Sequence, residues 1–222
     1  MRYNIIATGS KGNAVVINGN ILIDCGVPFK LLEPVKKDLK LVLLTHVHGD
    51  HFNPSTVRAL HRERPTLRFG CCVWMVEPLL DAGVDSRTID VFQPSVTYAY
   101  GARLEISPVT LTHNVPNCGY RIRENEESLF YATDTGTLDG ITAKGYDLYM
   151  VEANHTKAEL EARRDAKIAA GEFSYEVNAA RNHMSQEQAT DWIYQNAGPN
   201  SKYVFLHQHV DREPKRAEVY NG

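Results

Sequence analysis

At 222 residues, with 43% hydrophobic and 23% charged side chains, the chain suits one well-cored domain over 1–222 and is short for two. A formal net charge of -3 argues against bulk attraction to nucleic acid and leaves room only for a local basic patch. No apolar run approaches the roughly 18 residues of a membrane span, and MRYNIIATGSKGN is neither a signal nor a transit peptide, so a cytoplasmic location without a membrane partner is expected.

The first third reads as short strands joined by tight turns. Tyr3–Thr8 is followed by the turn Gly9-Ser10-Lys11-Gly12-Asn13, then Ala14–Ile17, the turn Asn18-Gly19-Asn20, and Ile21–Asp24. Asn-Gly between two apolar runs signals a hairpin, because both residues tolerate the positive φ of a short connection. Leu39–Leu44 is a continuous apolar run that stops at Thr45, as in a strand buried on both faces. Pro54-Ser55 opens a helix that Pro65 ends, and an apolar helix over Val73–Ala82 is capped by Gly83.

Further strands are expected near Thr66–Phe69 and over Thr88–Phe92, Ser95–Tyr98 and Arg103–Val109. A hairpin of Gly119–Arg123 and Ser128–Ala132 follows, then the strand Asp147–Glu152. Thr156 with Glu159, and Ser185 with Gln188, make capping boxes for two helices, over Thr156–Ala170 and to Asn196. Tyr203–Leu206 runs straight into His207. Strands first, then strand and helix mixed, imply two packed sheets with helices outside, an α/β sandwich. Cys25, Cys71, Cys72 and Cys118 lack CxxC spacing and are expected as buried small hydrophobes.

Chemistry concentrates in Thr45-His46-Val47-His48-Gly49-Asp50-His51, directly after the buried strand. Imidazole and carboxylate together suit zinc, manganese or iron, whereas calcium wants oxygen alone. A spacing of two lets His46 and His48 reach one ion, and a turn at Gly49 can send Asp50 and His51 to another. One motif cannot close two coordination shells. His113, Asp134 and His207 each stand where a strand gives way to a loop, from which rigid elements can aim side chains into a common cleft.

These residues resemble the metallo-β-lactamase-fold hydrolases, whose HxHxDH signature is met by His46, His48, Asp50 and His51. The resemblance implies a four-layer αββα sandwich with two divalent metal ions, zinc first and manganese or iron as alternatives. It implies that His46, His48 and His113 hold one ion, and Asp50, His51 and His207 the other. Asp134 joins them, with a water or hydroxide between. Asp24 matches the family's early aspartate, expected to support a ligand rather than to bind metal.

Antibiotic hydrolysis is disfavoured, because the β-lactamases use a cysteine where this chain has Asp134. Glu152 and His183-Met184-Ser185 are similar to the tRNA 3′-processing ribonucleases, where a histidine backed by an acidic residue sits beside the scissile phosphate. Glu152-Ala153-Asn154-His155 also looks like the small WalJ-like branch, associated with nuclease activity. Asp50 and His183, with Glu152 behind it, are therefore the expected catalytic groups. Lys11, Asn154, His155 and His209 are candidates for substrate contact or support. The substrate implied is a phosphodiester, either nucleic acid or a small cyclic nucleotide, cleaved by a homodimer if small relatives are a guide. The alternatives are a thioester or carbonyl hydrolase of the same fold, which gives His183 no obvious task, and a non-catalytic metal-binding protein.

Overall fold

The computed structural model describes residues 1–171, 181–208 and 218–219. Its first sheet is ordered β1 (Tyr3–Ala7), β2 (Ala14–Ile17), β3 (Ile21–Ile23), β4 (Leu41–Leu44), β5 (Arg68–Cys72) and β6 (Ile89–Phe92). Strands β1 to β3 are antiparallel, and β3 to β6 are parallel. The second sheet contains β7 (Tyr98–Tyr100), β8 (Leu104–Leu111), β9 (Asn117–Glu124), β10 (Glu127–Ala132), β11 (Leu148–Glu152), β12 (Lys202–Leu206) and β13 (Glu218–Val219), each beside its neighbour in sequence. Its β10, β11 and β12 are parallel.

Hairpins need only turns, and Asn18 (φ 50) with Gly19 (φ 80) makes the β2–β3 turn that the Asn-Gly pair predicts. Parallel neighbours need crossovers. These contain α1 (Pro54–Glu63), α2 (Val76–Asp81), α3 (Lys157–Ala169) and α4 (Gln186–Asn196). The Asn53 side chain caps α1, and both predicted capping boxes form, at Thr156 and Ser185.

The period-2 geometry of the strands sorts apolar side chains into three layers. Val42 and Leu44 of β4 pack with Val57, Leu60 and Leu79 of the helices α1 and α2. Leu41 and Leu43 face Tyr120, Ile122 and Tyr131 of the opposing sheet. Phe130, Tyr149 and Val151 lie under Trp192 and Ile193 of α4 on the far side. Helix, sheet, sheet and helix are thus the layers that the pattern of strands and helices predicts. The cysteines are free and buried. No helix among the described residues is long and apolar enough to cross a membrane.

Three elements differ most from the sequence reading. The strand expected over Ser95–Tyr98 lies at Tyr98–Tyr100, because Ser95 turns with φ 67° and Val96 N–H closes a turn onto the Gln93 carbonyl. The helix expected over Val73–Ala82 is split into a 3-10 turn, Val73–Met75, and α2. There the Trp74 indole N–H donates to the Thr45 carbonyl at 3.1 Å, tying the turn to the strand end that carries His46. The strand expected near Thr66–Phe69 starts at Arg68, because Leu67 N–H still closes a turn onto the Arg64 carbonyl.

Candidate metal centre

Site residues gather where strands stop. Asp24 follows β3, His46 follows β4 after one residue, Asp134 follows β10 after one residue, Glu152 closes β11 and His207 follows β12. Asp24, Asp134 and His207 turn there with φ of 60°, 56° and 51°. That left-handed conformation costs a residue with a Cβ about 1–2 kcal/mol, and such strain persists where the surrounding structure holds the side chain to a task.

The donor atoms fall into two clusters that share Asp134. His46, His48, His113 and Asp134 form the first, and Asp50, His51, Asp134 and His207 the second, all donors of each lying within 4.8 Å of one another. In the first, His48 Nδ1 is 3.2 Å from His46 Nε2 and 3.3 Å from His113 Nε2. Asp134 Oδ2 lies 3.6 and 3.7 Å from the Nε2 atoms of His46 and His113. In the second, Asp134 Oδ1 is 3.3 Å from His51 Nε2 and 3.5 Å from His207 Nε2. Asp50 Oδ2 is 3.7 and 3.3 Å from the same two nitrogens.

A cation 2.0–2.1 Å from each of four tetrahedral ligands spaces them about 3.3–3.4 Å apart. Both clusters match that edge length, and Asp134 gives one oxygen to each. Ring nitrogens and carboxylate oxygens that converge at these distances fit a dinuclear divalent metal site.

Hydrogen bonds on the far side of each ring set its direction. His51 Nδ1 donates to Asp24 Oδ2 at 2.7 Å. Asp24 also accepts the backbone N–H and the hydroxyl of Thr45, and that hydroxyl lies 3.0 Å from His46 Nδ1. One buried carboxylate therefore steers a histidine of each cluster. His113 Nδ1 donates to the Asn182 carbonyl at 3.1 Å. Glu152, fully buried, takes the Thr135 N–H on Oε2 and His183 Nδ1 on Oε1 at 2.5 Å, with His207 Nδ1 3.4 Å from the same oxygen. Glu152, His183, His207 and Asp134 also converge within 4.8 Å. Glu152 is occupied by these hydrogen bonds, which makes it a hub for orienting imidazoles more than a ligand.

Electrostatics differ between the clusters. Against burial, the carboxylates of Asp134 and Asp24 raise the pKa of His51 to about 10, and those of Asp134, Asp50 and Glu152 raise His207 well above its ordinary value. These two rings therefore give up a proton as they take a cation. Burial, reinforced by His51, holds the His46 imidazole neutral, its pKa pushed down to about 2. Burial likewise lowers His113. Burial pushes Asp134 up, but the imidazoles of His51 and His207 outweigh it and hold the carboxyl well below its ordinary value. The same contest, won by the His207 hydrogen bond and His51, lowers Asp50. Burial opposes charge on His183, yet the carboxylate and hydrogen bond of Glu152 raise its pKa.

The remaining candidates divide. Asn154 Nδ2 donates to the His207 carbonyl at 3.0 Å and lies 3.1 Å from His207 Nδ1, so it braces that residue. His155 is buried, bridges to Ser185 through its backbone and places Nδ1 3.4 Å from Asn154 Oδ1, and it belongs to neither cluster. Lys11 is exposed on its turn, and His209 lies outside the described residues. Two participants escape the sequence reading. Thr45 links Asp24 to His46, and only its adjacency to His46 hints at this. Asn13, read as a turn residue, places its amide 2.8 Å from His51 Nε2.

Comparison with known proteins agrees with this geometry. The model of the beta-lactamase superfamily domain matches residues 19–208. Exodeoxyribonuclease WalJ of Streptococcus pneumoniae is 26% identical over 240 residues, covering 98% of this chain and 84% of its own. Exodeoxyribonuclease YycJ of Bacillus anthracis is 24% identical over 170 residues, 70% of this chain and 63% of its own. Human tRNase Z, short form, superposes with a TM-score of 0.70 at 15% identity over 99% of each chain, a likeness of fold. With a family model matched over most of its length and two metal-binding clusters on the expected strand ends, this chain belongs to the beta-lactamase superfamily and has the metallo-β-lactamase fold.

Proposed function

We propose that the protein is a metal-dependent phosphodiesterase that hydrolyses DNA from an end. The observation that carries this reading is the His183–Glu152 pair beside the two clusters, with Nδ1 and Oε1 2.5 Å apart. Phosphodiester hydrolysis expels an alkoxide, whose conjugate acid is about as weak as water and which needs a proton as it leaves. A thioester expels a thiolate, the conjugate base of a thiol with a pKa of about 8.5, and needs none. A histidine kept protonated by a buried carboxylate has work to do in the first reaction and little in the second.

Two divalent ions at the clusters would supply an activated water and neutralise charge on the phosphoryl oxygens. The protein's own residues do the rest. Asp24 and Thr45 orient the rings of His51 and His46, and Asp134 offers one oxygen to each cluster. Glu152 sets His183 with its proton on Nδ1 and charge on the ring, leaving Nε2–H to be given to the departing oxygen. The oxygen of a water that has lost one proton to solvent bonds to phosphorus as the P–O ester bond breaks, the proton from Nε2 ends on the released hydroxyl, and solvent restores the proton to His183. The named activity of the Streptococcus pneumoniae and Bacillus anthracis relatives supports a DNA end over a cyclic nucleotide. Exposed Arg181, two residues before His183, suits a flanking phosphate.

The test compares two leaving groups. Protein loaded with manganese or zinc is assayed on single-stranded DNA and on bis-p-nitrophenyl phosphate, whose phenolate departs without a proton. His183→Ala should lower DNA turnover by about 10²–10⁴-fold, spare the nitrophenyl ester far more, and keep its metal. Inactivity on both phosphodiesters with metal fully bound, beside thioester turnover indifferent to His183→Ala, would overturn the proposal.

A further inference from the structure

Asn13 ends the turn after β1 and is 2% exposed, yet it belongs to neither donor set. Three neighbours settle which way its amide faces. Oδ1 accepts the Gly9 backbone N–H at 2.8 Å, and Nδ2 shares its two hydrogens among acceptors that include the carbonyls of Gly9 and Asp50, each at 3.1 Å. Exchanging the two amide atoms would set N–H against N–H and oxygen against two carbonyls, so the opposite flip is excluded. Nδ2 consequently stands 2.8 Å from His51 Nε2 and 3.5 Å from Asp50 Oδ2.

His51 Nε2 is the atom that this ring presents to the second cluster. The other ring nitrogen, Nδ1, is engaged by Asp24 at 2.7 Å. The turn that carries Asn13 is clamped in place. Its N–H donates to the Asp50 carbonyl at 2.6 Å and its carbonyl accepts from Gly26 N–H at 3.0 Å. A Cβ at Gly26 would fall 1.8 Å from the Asp50 carbonyl oxygen, so the three segments meet at backbone contact. The side-chain bonds and the N–H reach the second cluster's segment or the turn itself, the carbonyl reaches Gly26, and none of them reaches His46, His48 or His113.

We infer that Asn13 is a positioning residue for the second cation alone. Its backbone N–H and its side-chain amide both hold the Asp50 carbonyl, and the same amide nitrogen stands within reach of His51 Nε2 and Asp50 Oδ2, so these two ligands are fixed together while the first cluster is not touched. This inference rests on the two-cation reading of the site and is independent of which ester is cleaved.

Zinc titrated into metal-stripped protein, with bound metal counted directly, tests it. The wild-type protein takes two equivalents. Asn13→Ala keeps the affinity of the His46/His48/His113 cluster and binds at the other about 10–100-fold more weakly, the usual loss when a partner of a ligand is removed. A second measurement needs no variant. In ¹⁵N-labelled wild-type protein the Asn13 side-chain amide signal moves in step with the ring signals of His51 and His207, and not with those of His46 and His113. Unchanged or tighter binding in the variant, equal weakening at both clusters, or an amide signal that follows His46 and His113 would each overturn the assignment.

Discussion

His183 and His207 stack face to face, with ring centroids 5.2 Å apart and planes within 7° of parallel, over one oxygen of Glu152. A residue of the second cluster and the proposed proton donor therefore lean on the same buried carboxylate. Disturbing Glu152 should be felt on both sides of the scissile bond.

The sign of one pH effect follows. Glu152 raises the pKa of His183 above the ordinary histidine value against the opposing effect of burial. The protonated ring is the active form, so turnover holds below that pKa and falls as pH rises through it. Glu152→Gln removes the charge and should move the alkaline limb of the kcat profile on DNA to lower pH. A profile that falls in height but keeps its alkaline limb would count against the acid role of His183.

Ligand substitutions should separate the two clusters. His113→Ala is expected to leave one cation per chain, held by Asp50, His51, Asp134 and His207. His207→Ala should leave the other, and Asp134→Ala should weaken both, because each of its oxygens faces a different cluster. Metal counting after gel filtration checks this. Loss of both ions in His113→Ala would show that the clusters do not load independently.

Asp24 touches no cation in this reading, yet its removal should be costly. Asp24→Ala leaves the Thr45 N–H and His51 Nδ1 without their acceptor in a buried site. Each unsatisfied group costs about 1–3 kcal/mol, and metal affinity should fall by about 10–100-fold. Thermal melts with and without a chelator would separate the two losses, since only the wild-type protein should lose most of its stabilisation on chelation.

Two glycines, Gly49 inside the HxHxDH run and Gly26 packed against it, should behave oppositely. At Gly26 a new Cβ would lie 1.8 Å from backbone oxygen, while at Gly49 nothing lies within 4 Å. Gly26→Ala should cost about 1–3 kcal/mol or more and disturb the second cluster. Gly49→Ala should stay within about 0.5 kcal/mol of the wild-type protein. Denaturant midpoints of the metal-stripped variants give the comparison.

Much of this could be read before any coordinates. The Asn18-Gly19 turn, the caps at Thr156 and Ser185, the buried run ending at Thr45 and the HxHxDH cluster all depend on neighbours a few residues apart. Turn chemistry, capping and side-chain periodicity act over that range. The partners His113, Asp134 and His207 were candidates from their strand-to-loop positions, and only the family resemblance assigned each to a particular ion.

Which atoms meet was not written locally. Asn13 reads as a turn former and Thr45 as the end of a strand, yet one touches His51 and the other joins Asp24 to His46. Asp134 divides its oxygens between two clusters, and Glu152 serves two histidines, one 31 and the other 55 positions further along the chain. Strands far apart in sequence must first pair in register and end at one edge of the sandwich, so these contacts exist only once packing has brought the strand ends together.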